Sequence, residues 1–188
     1  MRLFAIMIML TMVAGLLAPA ASGSTPNEDH VLDNKGRPLN DSRFDAVRAL
    51  EQQEERGLAL YRSEKYEEAY ANLSSPASRG LKSSQQAIAL MHLNGQSVSA
   101  NLLIGTALLG LAAESGDKKL EKEYEKLLKQ VPEKYRLLVT EQTAYYIERY
   151  GTTAQGIECS RVKKPSSNFS TTVCLKQPGT YTEYEWAP

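Results

Sequence analysis

The fold is decided by two similar stretches of sequence, YEEAYANLSSPASRG at residues 66–80 and LLIGTALLGLAAESG at residues 102–116. Residues of similar size recur between them at an offset of 36. The aligned pairs are Tyr66/Leu102, Ala69/Gly105, Leu73/Leu109, Ala77/Ala113 and Gly80/Gly116. These positions are three to four residues apart, which is the spacing of one helix face. The small residues predict close helix packing, and the two terminal glycines predict left-handed helix caps.

A second match precedes the first, at a different offset. The pattern Gly57-x-x-Leu60-Tyr61 aligns with Ala87-x-x-Leu90-Met91 at an offset of 30. Each copy therefore consists of two helices, and the repeats span residues 57–80 and 87–116. The turn inside the first copy is tight, near residues 63–65, and the second copy has a loop over residues 94–101. An ordinary helical bundle with accidental spacing is the alternative.

A repeat of this length built from two helices is typical of the tetratricopeptide class. The second copy resembles a Sel-one-like repeat, which has Gly and Val in its inner loop, here Gly95 and Val98, and ends in Ala-Ala-x-x-Gly, here residues 112–116. The first copy resembles a plain tetratricopeptide unit. The resemblance covers about 60 of the 188 residues. It implies an all-α fold, a short α-solenoid of helical hairpins, followed by a small tail.

The region before the repeats has two parts. Residues 1–23 are predicted to be a secretory signal, with a positive start at Arg2, an apolar run from Leu3 to Leu17 and small residues at the cleavage zone. The run is shorter than the ~20 residues of a membrane span, and a retained anchor is the alternative. Residues 24–41 are polar and are predicted to be a flexible arm.

Residues 42–151 are predicted to be the helical repeat domain. A helix begins at Asp41 or Ser42 and runs on into the first repeat as one long helix. Pro76 is expected to stop the second helix near Ser74.

Residues 117–151 are predicted to be two capping helices. The first is charged and amphipathic and runs to Gln130. The second begins around Pro132 and ends at Gly151. Residues 127–151 resemble the closing helices of bacterial secreted repeat proteins. This pair is expected to cover the open apolar end of the second repeat.

Residues 152–188 form a tail that contains the two cysteines of the chain, Cys159 and Cys174. In an exported protein a Cys159–Cys174 disulfide is the default prediction, and it stabilises by about 3 kcal/mol. A redox pair or half of a metal site are the alternatives. Two β-prone pieces, residues 157–163 and 170–176, favour a hairpin or an irregular loop.

The cysteine pattern resembles a short Cys-bracketed motif at the ends of many small exported proteobacterial proteins. That resemblance implies the compartment, a Gram-negative periplasm or the medium, and it carries no known activity that could be transferred to this chain. The aromatic, acidic end of the chain, with the single Trp186, is expected to dock on the body or to act as a recognition tail.

The tyrosines are the most suggestive surface feature, since Tyr is favoured at interfaces. Plain helix packing is the competing explanation. The candidate partner-binding residues are Tyr61, Tyr66, Tyr145, Tyr146 and Trp186.

The charge is balanced, with 22 basic and 22 acidic residues, and forms no basic stripe for nucleic acid or anionic lipid. No catalytic, metal-binding or phosphate-binding motif is present, so we expect no enzyme activity, no cofactor, no metal and no stable membrane insertion after signal cleavage.

The tetratricopeptide and Sel-one-like resemblance implies an envelope adaptor that binds a peptide or protein partner in the repeat groove. The alternatives are an inhibitor or immunity-type protein against an exported toxin and a binder or hydrolase of peptidoglycan-like or β-lactam ligands. The last subgroup carries a disulfide in each repeat, and this chain has no cysteine in its repeats.

Overall fold

The computed structural model describes residues 42–163, 170–179 and 181–188. The predicted signal peptide and arm lie outside the described residues. The described part contains six helices: α1 (Ser42–Arg62), α2 (Tyr66–Ser78), α3 (Lys82–Asn94), α4 (Leu102–Ala113), α5 (Lys118–Gln130) and α6 (Glu133–Tyr150). Two strands follow, β1 (Ile157–Lys163) and β2 (Ser170–Lys176). The chain is therefore mostly helical with a small antiparallel hairpin, as predicted for these segments.

The helix boundaries follow from local chemistry. The Asn101 side chain accepts from the backbone N–H groups of Leu103 and Ile104 at 3.0 and 3.1 Å and begins α4. The Asp117 carboxylate caps α5 in the same way. Gly80 and Gly116 adopt φ values of +91° and +75°, which confirms the predicted left-handed positions. The single long first helix is also confirmed, because α1 runs without a break from Ser42.

The prediction that Pro76 stops α2 near Ser74 is wrong, because the helix continues to Ser78. Proline removes one N–H, but the turn around it keeps other hydrogen bonds. The backbone N–H of Arg79 donates to Ser75 O at 3.1 Å, and that of Leu81 donates to Pro76 O at 3.0 Å. Pro76 is also buried, so packing holds the last turn in place.

The core lies between helices that follow one another in the chain: α1 packs on α2, α2 on α3, and α3 on α4. Both α5 and α6 pack on α4, whereas they touch each other only slightly. Small residues permit the close approaches. A Cβ added to Gly105 of α4 would lie 2.7 Å from Leu93 Cγ of α3. The shared core centres on α4, which is buried from Gly105 to Ala113.

The hairpin docks against the end of α2. Cys159 lies directly opposite Cys174 in the register, and the two form the predicted disulfide. Lys176 Nζ donates to the carbonyl oxygens of Arg79 at 3.0 Å and Gln155 at 2.7 Å. Burial, with a contribution from Arg79, lowers the pKa of Lys176 to about 8. The hairpin is thus attached to the helical body at its base, where Lys176 pairs with Ile157.

Candidate functional site: an aromatic cleft occupied by residues 181–188

The residues of greatest interest surround a cleft between α2, α4 and α6. We call it the aromatic cleft, and its lining consists of Tyr70 of α2, Leu103 and Ile104 of α4, and Leu138, Tyr146 and Tyr150 of α6. Residues 181–188, the tail segment, start beside Gly156 and Lys176 and run into the cleft from Tyr184 onward. Tyr184 and Trp186 pack against the hydrophobic core along this cleft.

The tail segment has the alternation of an extended peptide. Tyr184, Trp186 and Pro188 are half-buried, whereas Glu183, Glu185 and Ala187 are exposed. An inward and outward alternation with a period of two is that of a β-like chain lying on a surface. From Tyr184 onward the segment is therefore bound through every second side chain.

Polar contacts hold the segment through its main chain as well. Gln155 Nε2 donates to Thr182 O at 3.0 Å, and the Tyr150 hydroxyl donates to Glu185 O at 2.5 Å. Main-chain acceptors are present in any sequence, so these two contacts hold an extended backbone whatever its side chains. Arg79 forms an ion pair with Glu183, which adds a preference for an acidic residue at that position.

Trp186 is the main apolar anchor. Its ring centroid lies 4.9 Å from that of Tyr150, with an interplanar angle of 58°, and the indole also neighbours Tyr70. Burial raises the pKa of Tyr70 and of Tyr150, and it raises that of Tyr146 to about 12. The tyrosines of the cleft therefore stay neutral over the physiological pH range.

A cation–aromatic stack forms the rim. The Arg149 guanidinium lies 3.7 Å from the Tyr145 ring centroid and 5.6 Å from that of Tyr184. Arg149 thus bridges the wall of the cleft and the tail segment, and such contacts contribute about 0.5–1 kcal/mol at exposed sites.

The tail segment does not fill the whole cleft. Beside Ala187 and Pro188 a cavity of about 270 Å³ remains, lined on its apolar side by Leu103, Ile104 and Leu138. Leu138 is 51 % exposed. An apolar side chain placed here would bury surface that now faces solvent.

The structure brings together three of the five predicted partner-binding residues. Tyr145, Tyr146 and Trp186 belong to the cleft and its rim. Tyr61 and Tyr66 form a separate pair with ring centroids 5.6 Å apart, and the Tyr61 hydroxyl donates to Gln96 Oε1 at 3.3 Å. Tyr146 is 1 % exposed, so it serves as the buried floor of the cleft rather than as a surface contact.

Sequence reasoning did not single out Leu103, Leu138 and Arg149 of the cleft. It named Tyr70 only among the tyrosines that could line the inner face of the repeats, and Tyr184 only within the aromatic end of the chain. One signal was present in the sequence. Tyr184, Trp186 and Pro188 alternate with acidic or small residues, a pattern with period two that indicates an extended segment.

A buried polar network supports the base of the cleft. Gln85 Nε2 donates to Ala77 O at 2.9 Å and to Tyr150 O at 2.8 Å, which fixes the end of α6 against α2. Lys82 Nζ donates to Gln85 Oε1 at 2.9 Å and forms an ion pair with Glu114 at 2.6 Å. These side chains have a structural role, because their polar atoms bond to residues near the ends of α2, α4 and α6.

Titratable groups elsewhere in the described ranges do not assemble into a metal site, since no group of three or more His, Cys, Asp or Glu side chains is found there. Glu54 accepts from the backbone N–H and hydroxyl of Ser84 at 2.9 and 2.8 Å, and burial raises its pKa. It therefore caps α3 from α1. His92 lies beside Tyr70, and burial lowers its pKa, so it is neutral at pH 7.

Two observations bear on the compartment. The Cys159–Cys174 disulfide fits a protein that resides outside the reducing cytoplasm. None of the helices within the described ranges is long and apolar enough to traverse a membrane.

In comparisons with known proteins, no family model, no curated protein and no solved structure matches this chain.

Proposed function

We propose that this chain is a non-catalytic protein-binding module of the bacterial cell envelope, periplasmic or secreted, which holds a segment of a partner protein in the aromatic cleft. We also propose that its helices form a short solenoid of tetratricopeptide and Sel-one-like hairpins, closed by the capping helices. The signal-like residues 1–23 and the disulfide support the compartment.

A single observation carries the proposal: the cleft already holds an extended peptide, the tail segment. Its contacts are those of peptide recognition, with two main-chain acceptors engaged, alternate side chains buried and an aromatic anchor. Aromatic and Arg side chains dominate the binding energy of protein interfaces, and both types surround this cleft.

The test is a crosslinking pull-down from envelope extract, followed by titration of the captured protein with purified chain. Leu138→Glu places a charge on the cleft wall, and Leu137→Glu is the matched control. Leu137 is 69 % exposed and does not line the cleft cavity. We expect saturable binding that Leu138→Glu weakens and Leu137→Glu preserves. Binding that is equal in both variants, or no saturable partner at all, would overturn the proposal.

A further inference from the structure

We infer that the tail segment is an internal stand-in for the partner, and that the partner presents an extended segment of the form acidic–aromatic–x–aromatic–x–apolar. This inference rests on the proposed function and specifies its ligand. It follows from how each position of the tail segment is held.

The first element of the pattern is the acidic position. Glu183 pairs with Arg79, and the neighbouring aromatic position, Tyr184, faces the Arg149 guanidinium. Two cations therefore contact consecutive residues of the tail segment just before Trp186. A partner with an acidic residue followed by an aromatic one would match both of them.

The second element is the aromatic anchor two residues later. Trp186 stacks on Tyr150, and the intervening Glu185 contributes only its carbonyl oxygen, which accepts from Tyr150. The exposed Glu185 side chain leaves the identity of that position open. Two aromatic residues at a spacing of two are thus required, whereas the residue between them is free.

The third element comes from the unfilled cavity. Its lining of Leu103, Ile104 and Leu138 lies just beside Pro188, and its volume of about 270 Å³ accommodates a leucine-sized side chain. A segment with an apolar residue that reaches this cavity buries more surface than the tail segment does, at about 25 cal/mol per Å² of apolar area. A partner segment that carries such a residue is therefore expected to bind the cleft more tightly than the tail segment does.

The stand-in also sets a threshold for binding. A tethered segment competes at an effective concentration on the order of millimolar, so a partner must displace it. Release of the tail segment by mutation should then strengthen binding of a peptide added in trans, because the cleft is free for a larger fraction of the time.

The experiment uses the full chain with Tyr184→Ala and Trp186→Ala, a tail-released variant that contains no tryptophan. A synthetic peptide with the sequence of residues 182–188 then carries the only indole, and its fluorescence reports binding. The wild-type chain is titrated in parallel with the same peptide labelled with a dye. Glu185→Ala is the matched control, because its side chain is exposed and its carbonyl contact is kept.

We expect the dye-labelled peptide to bind the tail-released variant at least about tenfold more tightly than the wild type or Glu185→Ala. A peptide lengthened by two leucines should bind more tightly still, and Leu138→Glu, but not Leu137→Glu, should remove that gain. A peptide in which alanine replaces the tryptophan should not bind.

The inference is overturned if a folded tail-released variant fails to bind the peptide, or if it binds no better than the wild type does. Far-UV circular dichroism checks the fold, and Trp186→Ala alone gives the same readout with Tyr184 kept in place. Failure of the proposed function gives a different result, because in that case no envelope protein binds the chain saturably. An envelope partner that binds the wild type and the tail-released variant with equal affinity would contradict the inference but not the proposed function.

Discussion

Replacement of Lys82 by methionine removes the cation from a buried ion pair and leaves its carboxylate partner in place. The Lys82 and Glu114 side chains are 8 % and 14 % exposed, and their charged atoms are 2.6 Å apart. Burial lowers the pKa of Lys82, and Glu114 opposes that shift. After the replacement, the Thr152 N–H at 2.6 Å still donates to the Glu114 carboxylate. Loss of one partner of a buried pair costs about 3–5 kcal/mol, and the remaining donor places the expected loss near the lower bound.

The assay is urea unfolding followed by far-UV circular dichroism, run as a double-mutant cycle with Glu114→Gln. The double variant carries no unpaired charge, so it should be more stable than the sum of the single losses predicts, by about 1–3 kcal/mol. Lys118→Met is the matched control. Lys118 and Glu121 are also 2.6 Å apart, but the Lys118 side chain is 62 % exposed, and its loss should cost at most about 1 kcal/mol.

The reasoning would be refuted if Lys82→Met unfolded at the same urea concentration as Lys118→Met. Additive losses in the cycle would refute it as well. Either result would mean that the Lys82–Glu114 contact does not stabilise the base of the aromatic cleft.

Three further perturbations test other parts of the fold. His92 is buried with no hydrogen-bond partner for its ring nitrogens within the described ranges, so His92→Phe should raise the free energy of unfolding by about 1 kcal/mol. Burial lowers the pKa of His92, so the unfolded chain takes up this proton before the folded chain does as the pH falls below about 6.5. The wild-type chain should therefore lose stability below that pH. Urea midpoints measured at pH 7.5 and at pH 5 should differ less in His92→Phe than in the wild type. Gly80→Ala should lower the melting temperature more than Gly116→Ala does, because both have positive φ but only the Gly80 Cβ would meet another residue closely, at 2.8 Å. Equal melting temperatures would contradict that packing. Reduction of Cys159–Cys174, which encloses a separation of 15 residues, should cost about 3 kcal/mol in urea unfolding, and a Cys159→Ser/Cys174→Ser chain should not respond to the reductant.

The parts of the fold that sequence could predict are those governed by neighbours in the chain. The 36-residue offset placed α2 and α4, and Asp117 and Pro132 marked the starts of α5 and α6. The two β-prone pieces, residues 157–163 and 170–176, became β1 and β2, joined by the predicted disulfide. In each case a cap, a proline or a periodic face acts within a few residues of the boundary.

The remainder depends on contacts between distant residues. Gln85 donates a hydrogen bond to the carbonyl oxygen of Tyr150, 65 positions further along the chain, and no local sequence pattern predicts such a bond. The Lys82 side chain is buried, where its ammonium group donates to the Glu114 carboxylate and to the Leu111 carbonyl oxygen, both about 30 residues further along the chain. The prediction for Pro76 was wrong for the same reason, since burial of Pro76 outweighs the local cost of proline in a helix.

The candidate site was predicted only in outline for a similar reason. The aromatic residues were evident from the sequence, but their grouping was not. Tyr145 and Tyr146 meet Trp186 through Tyr150, whereas Tyr61 pairs elsewhere. Helix periodicity gives the face of each helix and not the rotation of one helix against the next, which decides which tyrosines share a cleft.

The most direct measurement is the emission of Trp186 in the wild-type chain during titration with a peptide of residues 182–188 in which phenylalanine replaces the tryptophan. Trp186 is the only tryptophan and lies against Tyr150, so its emission reports the tail segment alone. A red shift that saturates, with increased quenching by iodide, is the result expected if a peptide takes the place of the tail segment in the cleft. An emission that stays unchanged at millimolar peptide, or that is already that of a fully exposed indole before any peptide is added, would contradict the assignment of the cleft as a peptide-binding site.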